Sequence, residues 1–260
     1  LFAYIGYAEI CTSTDTINNL NLLNVTSVTK MYRMFRYTGY RSMTKLELGN
    51  GFNTSNVEDM SGMFEQTGYK AMTTLNLGGN FITNHVTDMS YMFSDCGHDK
   101  LGSLDLGGNF NTAGVLYMQY MFQATGRESM ETLNLGGAFD TGSVKNMEAM
   151  FSETGYTLMK SLDLKGLFKT GSVTNMQMMF EGTGYQKLES LNLGTEFDTS
   201  AVTNMNYMFE KTGHEQMTSL NLGDKFNTSN VTEMKSMFNE TGNNKLTSLD
   251  LGDQFYTAKV

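Results

Sequence analysis

Phenylalanine recurs every 29 residues through most of this 260-residue chain. One column runs from Phe52 to Phe255 and a second from Phe35 to Phe238, both without an insertion. Methionine follows the same period, and its three columns, which begin at Met31, Met34 and Met43, hold 21 of the 22 methionines. A constant period of this length indicates one structural unit per repeat, and it predicts that successive units stack and bury their apolar faces against each other.

Each repeat contains a strand pattern. Leu75 and Leu77 alternate with polar residues in "MTTLNLGGNF". A spacing of two predicts a short strand with one buried face.

Each repeat also contains a second pattern. Val57, Met60, Met63 and Phe64 lie at i, i+3, i+6 and i+7, which predicts one face of a helix of about two to three turns. Gly68 follows, and glycine readily takes the left-handed conformation that ends a helix.

These two elements together predict an α/β fold. Stacked strands would form a parallel ladder about 4.8 Å apart, whereas packed helices need about 10 Å each. The stack must then bend, with strands inside and helices outside. We therefore predict a leucine-rich-repeat-like, right-handed solenoid (a horseshoe) with one short parallel strand and one short helix per 29-residue repeat.

The repeat resembles a known family. "FNTSNVTEMKSMF" from Phe226, with the L-x-x-L-x-L strand segment, is similar to the BspA-type leucine-rich repeat of bacterial surface proteins. The resemblance covers about residues 18 to 260, although this repeat is longer than is usual for the family. It implies an extracellular or cell-surface protein, often adhesive and without enzyme activity, and it does not identify a ligand.

The two ends of the chain depart from the pattern. Residues 1–19 form a partial repeat with a seven-residue insertion, "CTSTDTI", which starts at Cys11. Residues 20–260 form an array of about eight coils, and both ends are cut within a repeat. We expect a window from a longer chain; end-to-end self-association into a filament is the alternative, because heterologous contacts that do not close make open assemblies.

Composition excludes some classes of function. A net charge of −9 argues against nucleic acid, whose binding requires phosphate neutralisation. No apolar run approaches the roughly 18 residues of a membrane span, so this segment is not expected to insert into a membrane. No catalytic or cofactor motif is present, and His98 and His214 lie too far apart to share a metal. We expect no enzyme activity, no cofactor and no metal.

The methionines could be core residues or soft ligands for copper(I). They share their columns with phenylalanine, valine and leucine, which favours the core. The two cysteines, Cys11 and Cys96, fit no metal spacing and are expected to be unpaired thiols.

The solvent face of the strands is the candidate binding surface, expected to be concave. Its residues would contact a host or matrix protein or a glycan, or would form a hydrogen-bond ladder that only solvates the sheet. Calcium and ice are weaker alternatives, since single carboxylates make an incomplete cage and a curved surface fits a lattice poorly. The candidate residues are Glu47, Thr74, Asn76, Ser103, Asp105, Thr132, Asn134, Ser161, Asp163, Ser190, Asn192, Ser219, Asn221 and Asp250.

A second column follows the predicted helix and contains several tyrosines, a residue type useful in interfaces. The alternative is that the rings lie flat and cover the coil edge. The possible interface residues are Tyr40, Tyr69, Tyr156 and Tyr185.

Two functions therefore stay open. The first is adhesion, or protein or glycan binding, through the strand face. The second is a structural element (a stalk, a matrix or a filament subunit) in which the repeats supply length. The uniform strand-face columns favour the second, and the family resemblance favours the first.

Overall fold

The computed structural model describes residues 16–17 and 19–260. The predicted insertion falls mostly outside these residues, as does Cys11. The two residues of that segment that are described, Thr16 and Ile17, pair with Lys45 and Leu46 of the next coil.

Short parallel strands recur once per coil, as the alternation of leucines predicts. Each pairs with a strand 29 residues away, so that Leu46 lies opposite Leu75 and Leu104 opposite Leu133. In β3 the central Leu75 points inward between two exposed residues. The described strands are β1 Thr16–Ile17, β2 Lys45–Glu47, β3 Thr74–Asn76, β4 Ser103–Asp105, β5 Thr132–Asn134, β6 Ser161–Asp163, β7 Ser190–Asn192, β8 Ser219–Asn221 and β9 Ser248–Asp250.

The predicted helix is wrong. The segment from Ser61 to Thr67 is a run of turns, and its backbone forms hydrogen bonds to the next coil as well as within the segment. The N–H of Phe64 donates to the carbonyl of Met92 at 2.8 Å, and other coils repeat this bond. Two residues in each such segment are left-handed, here Gly62 (φ 61°) and Gln66 (φ 54°). An α-helix excludes such residues.

Turns satisfy the spacing that suggested a helix. The N–H of Met63 bonds to the carbonyl of Met60 at 3.0 Å, and that of Thr67 bonds to Phe64 at 3.0 Å. Each bond closes a turn from i to i+3, and the first of them joins the two apolar residues Met60 and Met63. The helices among the described residues are two short 3-10 segments, Leu20–Leu22 and Lys165–Leu167.

The horseshoe is therefore also wrong, although the solenoid is confirmed. On the side opposite the strands, the rings of Phe35 and Phe64 are 5.5 Å apart, and those of Phe64 and Phe93 are 5.4 Å apart. Packed helices would need about 10 Å. Backbone hydrogen bonds thus hold the coils closely on both sides, and the helical layer that would force a bend is missing. The fold is a parallel β-solenoid of about seven turns.

The core assignment is confirmed. Met147 and Phe151, in the middle coils, are fully buried, as are most members of the methionine and phenylalanine columns. Toward the last described coil Met234 and Phe238 are only partly buried. Phenylalanine rings of successive coils stack face to face, as between Phe122 and Phe151 (5.5 Å, 7°). The methionines fill the space around these stacks, which a flexible thioether side chain does readily.

Buried threonines join the coils from within. The hydroxyl of Thr112 donates to the carbonyl of Asp140 at 2.7 Å and accepts from its N–H at 2.7 Å. Thr112 is fully buried. A buried hydroxyl needs such partners, so this column acts as a polar seam through an otherwise apolar core.

Candidate binding face

The predicted site residues form two adjacent exposed columns on the strands, called here the strand face. Side chains on either side of each inward leucine point outward, as the two-residue period of a strand requires. From β3 to β9 the first column holds serine or threonine at the start of each strand, and the second holds asparagine or aspartate at its end; β2 has Lys45 and Glu47 at these positions. All fourteen residues predicted from the sequence are exposed, and they extend over the stack of β2 to β9.

The asparagine and aspartate column is engaged in internal hydrogen bonds. Asp105 accepts the N–H of Gly107 at 2.9 Å and the amide of Asn134 at 3.1 Å on the same oxygen. Asp163 bonds in the same way to the N–H of Lys165 and the amide of Asn192, both at 3.0 Å. These side chains close the turn after each strand, so part of this column is the hydrogen-bond ladder considered from the sequence.

The serine and threonine column differs. Its hydroxyls are exposed and make no side-chain hydrogen bond to any described residue. They recur in register from coil to coil, at the roughly 4.8 Å spacing of paired strands. This column is therefore the part of the strand face whose bonding capacity is left for solvent or a ligand. Its members are Thr74, Ser103, Thr132, Ser161, Ser190, Ser219 and Ser248.

Three shallow depressions follow one another along the strand face, between the strands and the loops after them. The first, of about 700 Å³, lies between Glu47 and Asp105. The second, of about 240 Å³, includes Thr132 and Ser161. The third, of about 430 Å³, includes Asn192. Their order along the solenoid axis fits an elongated ligand better than a compact one.

Lys165 breaks the regularity of this face, and sequence reasoning missed it. It stands where the corresponding residues of the other described coils are left-handed glycines, such as Gly136 (φ 76°) and Gly194 (φ 80°). Lys165 is also left-handed, at φ 53°, and it lines both the second and the third depression. The signal was present in the sequence, because Lys165 in "LDLKGLF" replaces the first glycine of "LNLGGNF", a glycine that the repeats from Gly49 to Gly252 otherwise keep.

The tyrosine column is a stack of rings rather than a set of separate contacts. Tyr40 lies on Tyr69 at 4.8 Å and Tyr69 on His98 at 4.3 Å, with planes within 14°. Partial burial raises the pKa of Tyr69 to about 12, with the carboxylates of Asp95 and Asp99 adding to the effect.

The stack resumes beyond His98. The Arg127 guanidinium lies 4.1 Å from the centre of the Tyr156 ring, and Tyr156 stacks on Tyr185 at 4.7 Å. The faces of these rings cover each other. This arrangement favours the alternative given in the sequence analysis, in which the rings cover the edge of the coils, over an exposed interface.

Three further features of the described residues concern metal binding, membrane spans and the free thiol. No group of three or more His, Cys, Asp and Glu side chains within it could hold a metal ion. None of its helices has the length and apolar character needed to cross a membrane. Cys96 is a buried, free thiol, as predicted.

Comparison with known proteins gives a family but no characterised relative. A family model described as Mycoplasma protein of unknown function, DUF285, matches the chain four times, over residues 10–99, 39–156, 68–184 and 157–253. No curated protein and no solved structure matches the chain. The repeat array with a 29-residue period is supported by these overlapping matches, whereas a BspA-type assignment is not.

Proposed function

We propose that this chain, which belongs to the DUF285 family of Mycoplasma proteins of unknown function, is a non-enzymatic adhesion or binding module that holds a host or matrix protein or a glycan on its strand face. The strand face is preferred to the tyrosine column because the ring faces of that column are already covered by neighbouring rings.

The exposed hydroxyl column carries this proposal. Thr132, Ser161 and Ser190 present hydroxyls in consecutive coils, and none of them bonds to another described residue. Hydroxyls donate and accept, so a row of them can bond repeatedly to a polar ligand laid along the axis. The neighbouring depressions provide a place for such a ligand.

An extracellular or cell-surface location accompanies the proposal. It is supported by the likeness of the repeat to BspA-type repeats of bacterial surface proteins, as in "FNTSNVTEMKSMF". Surface labelling of intact cells with a membrane-impermeant reagent tests it. Protein that is labelled only after lysis would contradict this location.

A matched pair of variants tests the binding face. Replacing Thr132, Ser161 and Ser190 by alanine removes three hydroxyls that have no internal partner, so the fold should be preserved. We expect weaker retention on an array of matrix proteins and glycans. The control replaces Thr174, Thr203 and Thr232 by alanine. These are exposed threonines of another column, whose hydroxyls donate to backbone carbonyls of the preceding coil at 3.2–3.3 Å, and the control should bind like the unmodified chain. Equal retention of both variants would contradict the proposal.

A structural role is the second candidate, and the regularity of the stack favours it. The Phe122, Phe151 and Phe180 rings repeat at 5.5 and 5.7 Å, and the strand-face columns vary little between coils. Electron microscopy of the natively isolated protein, with its mass measured on the same sample, separates the two roles. Long fibres support the structural role, and separate particles that bind array ligands support the binding module.

A further inference from the structure

Lys165 lies in the loop directly after β6, beside the strand face, and neither the repeat nor the fold explains its presence. The position requires a left-handed backbone, and glycine meets this requirement in the other described coils from Gly49 to Gly252. A residue with a Cβ atom is disfavoured there. The chain nevertheless places a long cationic side chain at this point, near the middle of the strand face.

The ammonium group of Lys165 has no internal role. The side chain is exposed, and it forms no ion pair or side-chain hydrogen bond with any described residue. The nearby carboxylate of Asp163 instead accepts the backbone N–H of Lys165 at 3.0 Å. Lys45, at the start of β2, contrasts with this arrangement, because its ammonium pairs with Glu47 at 2.8 Å. Lys165 is thus an unpaired positive charge beside a face that is mostly neutral and carries a few carboxylates.

The surroundings of Lys165 form a place for a ligand group. It lies between two depressions, one reaching Thr132 and Ser161 and the other reaching Asn192 and Asn221. A ligand that extends along the axis through both depressions must pass this lysine.

The chemistry of the face favours a glycan over a protein. Apart from Lys165, the residues that line the two depressions are hydroxyl, amide, carboxylate, glycine and leucine residues, with no aromatic residue among them. The centres of protein interfaces are typically enriched in aromatic residues, methionine and arginine. The carboxylates of Asp105, Asp163 and Asp250 would repel a polymer with a negative charge on every sugar.

From these observations, and resting on the proposed binding function, we infer that the ligand of the strand face is an otherwise neutral glycan that carries an anionic sugar, and that Lys165 binds this anionic group between the two depressions. The hydroxyl column would contact the neutral sugars, and Lys165 would select the charged one. Lys165 is then the residue that determines specificity, whereas the repeated columns provide general affinity.

The test compares two probes on the full chain: a neutral β-linked hexasaccharide, and the same hexasaccharide with one sugar replaced by its uronic acid. We expect the acidic probe to bind about tenfold more tightly, as a hydrogen bond to a charged group would give. The Lys165→Gln variant should lose this preference and retain the affinity for the neutral probe. Lys165→Gly, which restores the repeat, should do the same while unfolding at an equal or higher temperature. The control is Lys145→Gln, which removes an exposed lysine of another column and should leave the preference unchanged.

The outcomes separate this inference from the function on which it rests. Equal binding of both probes by the unmodified chain would overturn the role of Lys165 and leave glycan binding standing. A preference that survives in Lys165→Gln, or that is also lost in Lys145→Gln, would overturn it too. Binding of neither probe by a chain that is retained by proteins of the matrix array would overturn the ligand class. Binding of neither probe and of nothing on the array would contradict the proposed function itself.

Discussion

The hydroxyl of Thr125 donates a 2.6 Å hydrogen bond to the carbonyl oxygen of Phe93 in the preceding coil. Both residues are fully buried. Equivalent bonds recur in other coils, as from Thr154 to Phe122 at 2.7 Å. The coils are therefore joined by side chains inside the core as well as by the backbone on its surface.

Replacing Thr125 by valine tests this second seam of buried threonines, which is a different column from that of Thr112. Valine keeps the shape of the side chain and removes the donor, so we expect the free energy of unfolding to fall by about 1–2 kcal/mol. Denaturant unfolding followed by circular dichroism measures the change. Thr132→Val is the control, because that hydroxyl is exposed and makes no bond to a described residue. If the buried hydrogen bond contributed nothing to stability, both variants would have the same free energy of unfolding.

Core truncation should cost more than loss of the seam. Alanine in place of Met147 or Phe151, both fully buried, should lower the free energy of unfolding by roughly 2–5 kcal/mol, because each leaves a cavity between tightly stacked coils. Met178 lies outside the methionine columns and is only partly buried, so Met178→Ala should cost clearly less. Similar losses for all three variants in urea titrations would argue against the column assignment.

Two variants of Asp163 distinguish the contribution of its negative charge from that of its hydrogen bonds. Asp163→Asn keeps the oxygen that accepts from Lys165 and Asn192, so the fold should remain intact. Asp163→Ala removes both bonds and should lower the free energy of unfolding by about 1 kcal/mol. Thermal melts of both variants provide the comparison. Unfolding of Asp163→Asn would show that the negative charge itself supports the turn.

Asp95 should make stability depend on pH. Burial raises the pKa of this carboxyl above its usual value of 3.8, despite a hydrogen bond from Gln66 that lowers it. A raised pKa in the folded state means that the stabilising contribution is present at pH below 3.8 and is lost as the pH rises through the folded-state pKa. Asp95→Asn should therefore be more stable than the parent chain at neutral pH, and the difference should shrink on acidification. Asparagine also tolerates the left-handed backbone of this residue (φ 54°).

Parallel denaturant titrations between pH 3 and pH 7, run at about the same salt concentration because screening changes with ionic strength, check this expectation. Asp253→Asn, at an exposed position, serves as the control. A constant difference between Asp95→Asn and the parent chain across this range would rule the effect out.

Cys96 occupies the position that Thr67 and Thr125 hold in the neighbouring coils. Burial raises the pKa of its thiol, and a thiolate is the reactive form. In a Cys11→Ser background, we expect Cys96 to react with a thiol reagent only at the rate of unfolding. Cys96→Thr should restore the internal hydrogen bond and raise the free energy of unfolding by about 0.5–1.5 kcal/mol. Rapid labelling of the native chain would show that the coil opens locally.

The sequence was sufficient to predict the stacking, the strands and the core. Phe52 and Leu75 recur at a fixed period, and a fixed period admits one packing environment for each column. It was insufficient for the segment around Met60 and Met63. Apolar residues three positions apart are consistent both with a helix and with successive turns. The two structures differ in the backbone hydrogen bonds between coils, which the sequence of one repeat does not reveal. Gly62, within that segment, was the available signal for a turn, because glycine is unfavourable in the middle of a helix.

The candidate site was also predicted in part. The strand-face columns follow directly from alternation with the inward leucines, such as Leu162. The sequence could not show that the Asp105 carboxylate already bonds to Gly107 and Asn134, whereas the Ser103 hydroxyl bonds to no described residue. Lys165 was not singled out from the sequence, because its significance depends on the left-handed backbone beneath it.

The bonds between coils also determine how the molecule carries mechanical force. Each coil is held to the next by strand pairs such as Leu162 with Leu191 and by turn-side bonds such as that from Phe151 to Met179. These bonds lie along the direction of stacking. Tension on the two ends would therefore separate the coils one after another rather than all at once. One detached coil of 29 residues can extend to roughly 100 Å, against a rise of about 4.8 Å while it is folded. The solenoid would thus act as an extensible tether that yields one repeat at a time.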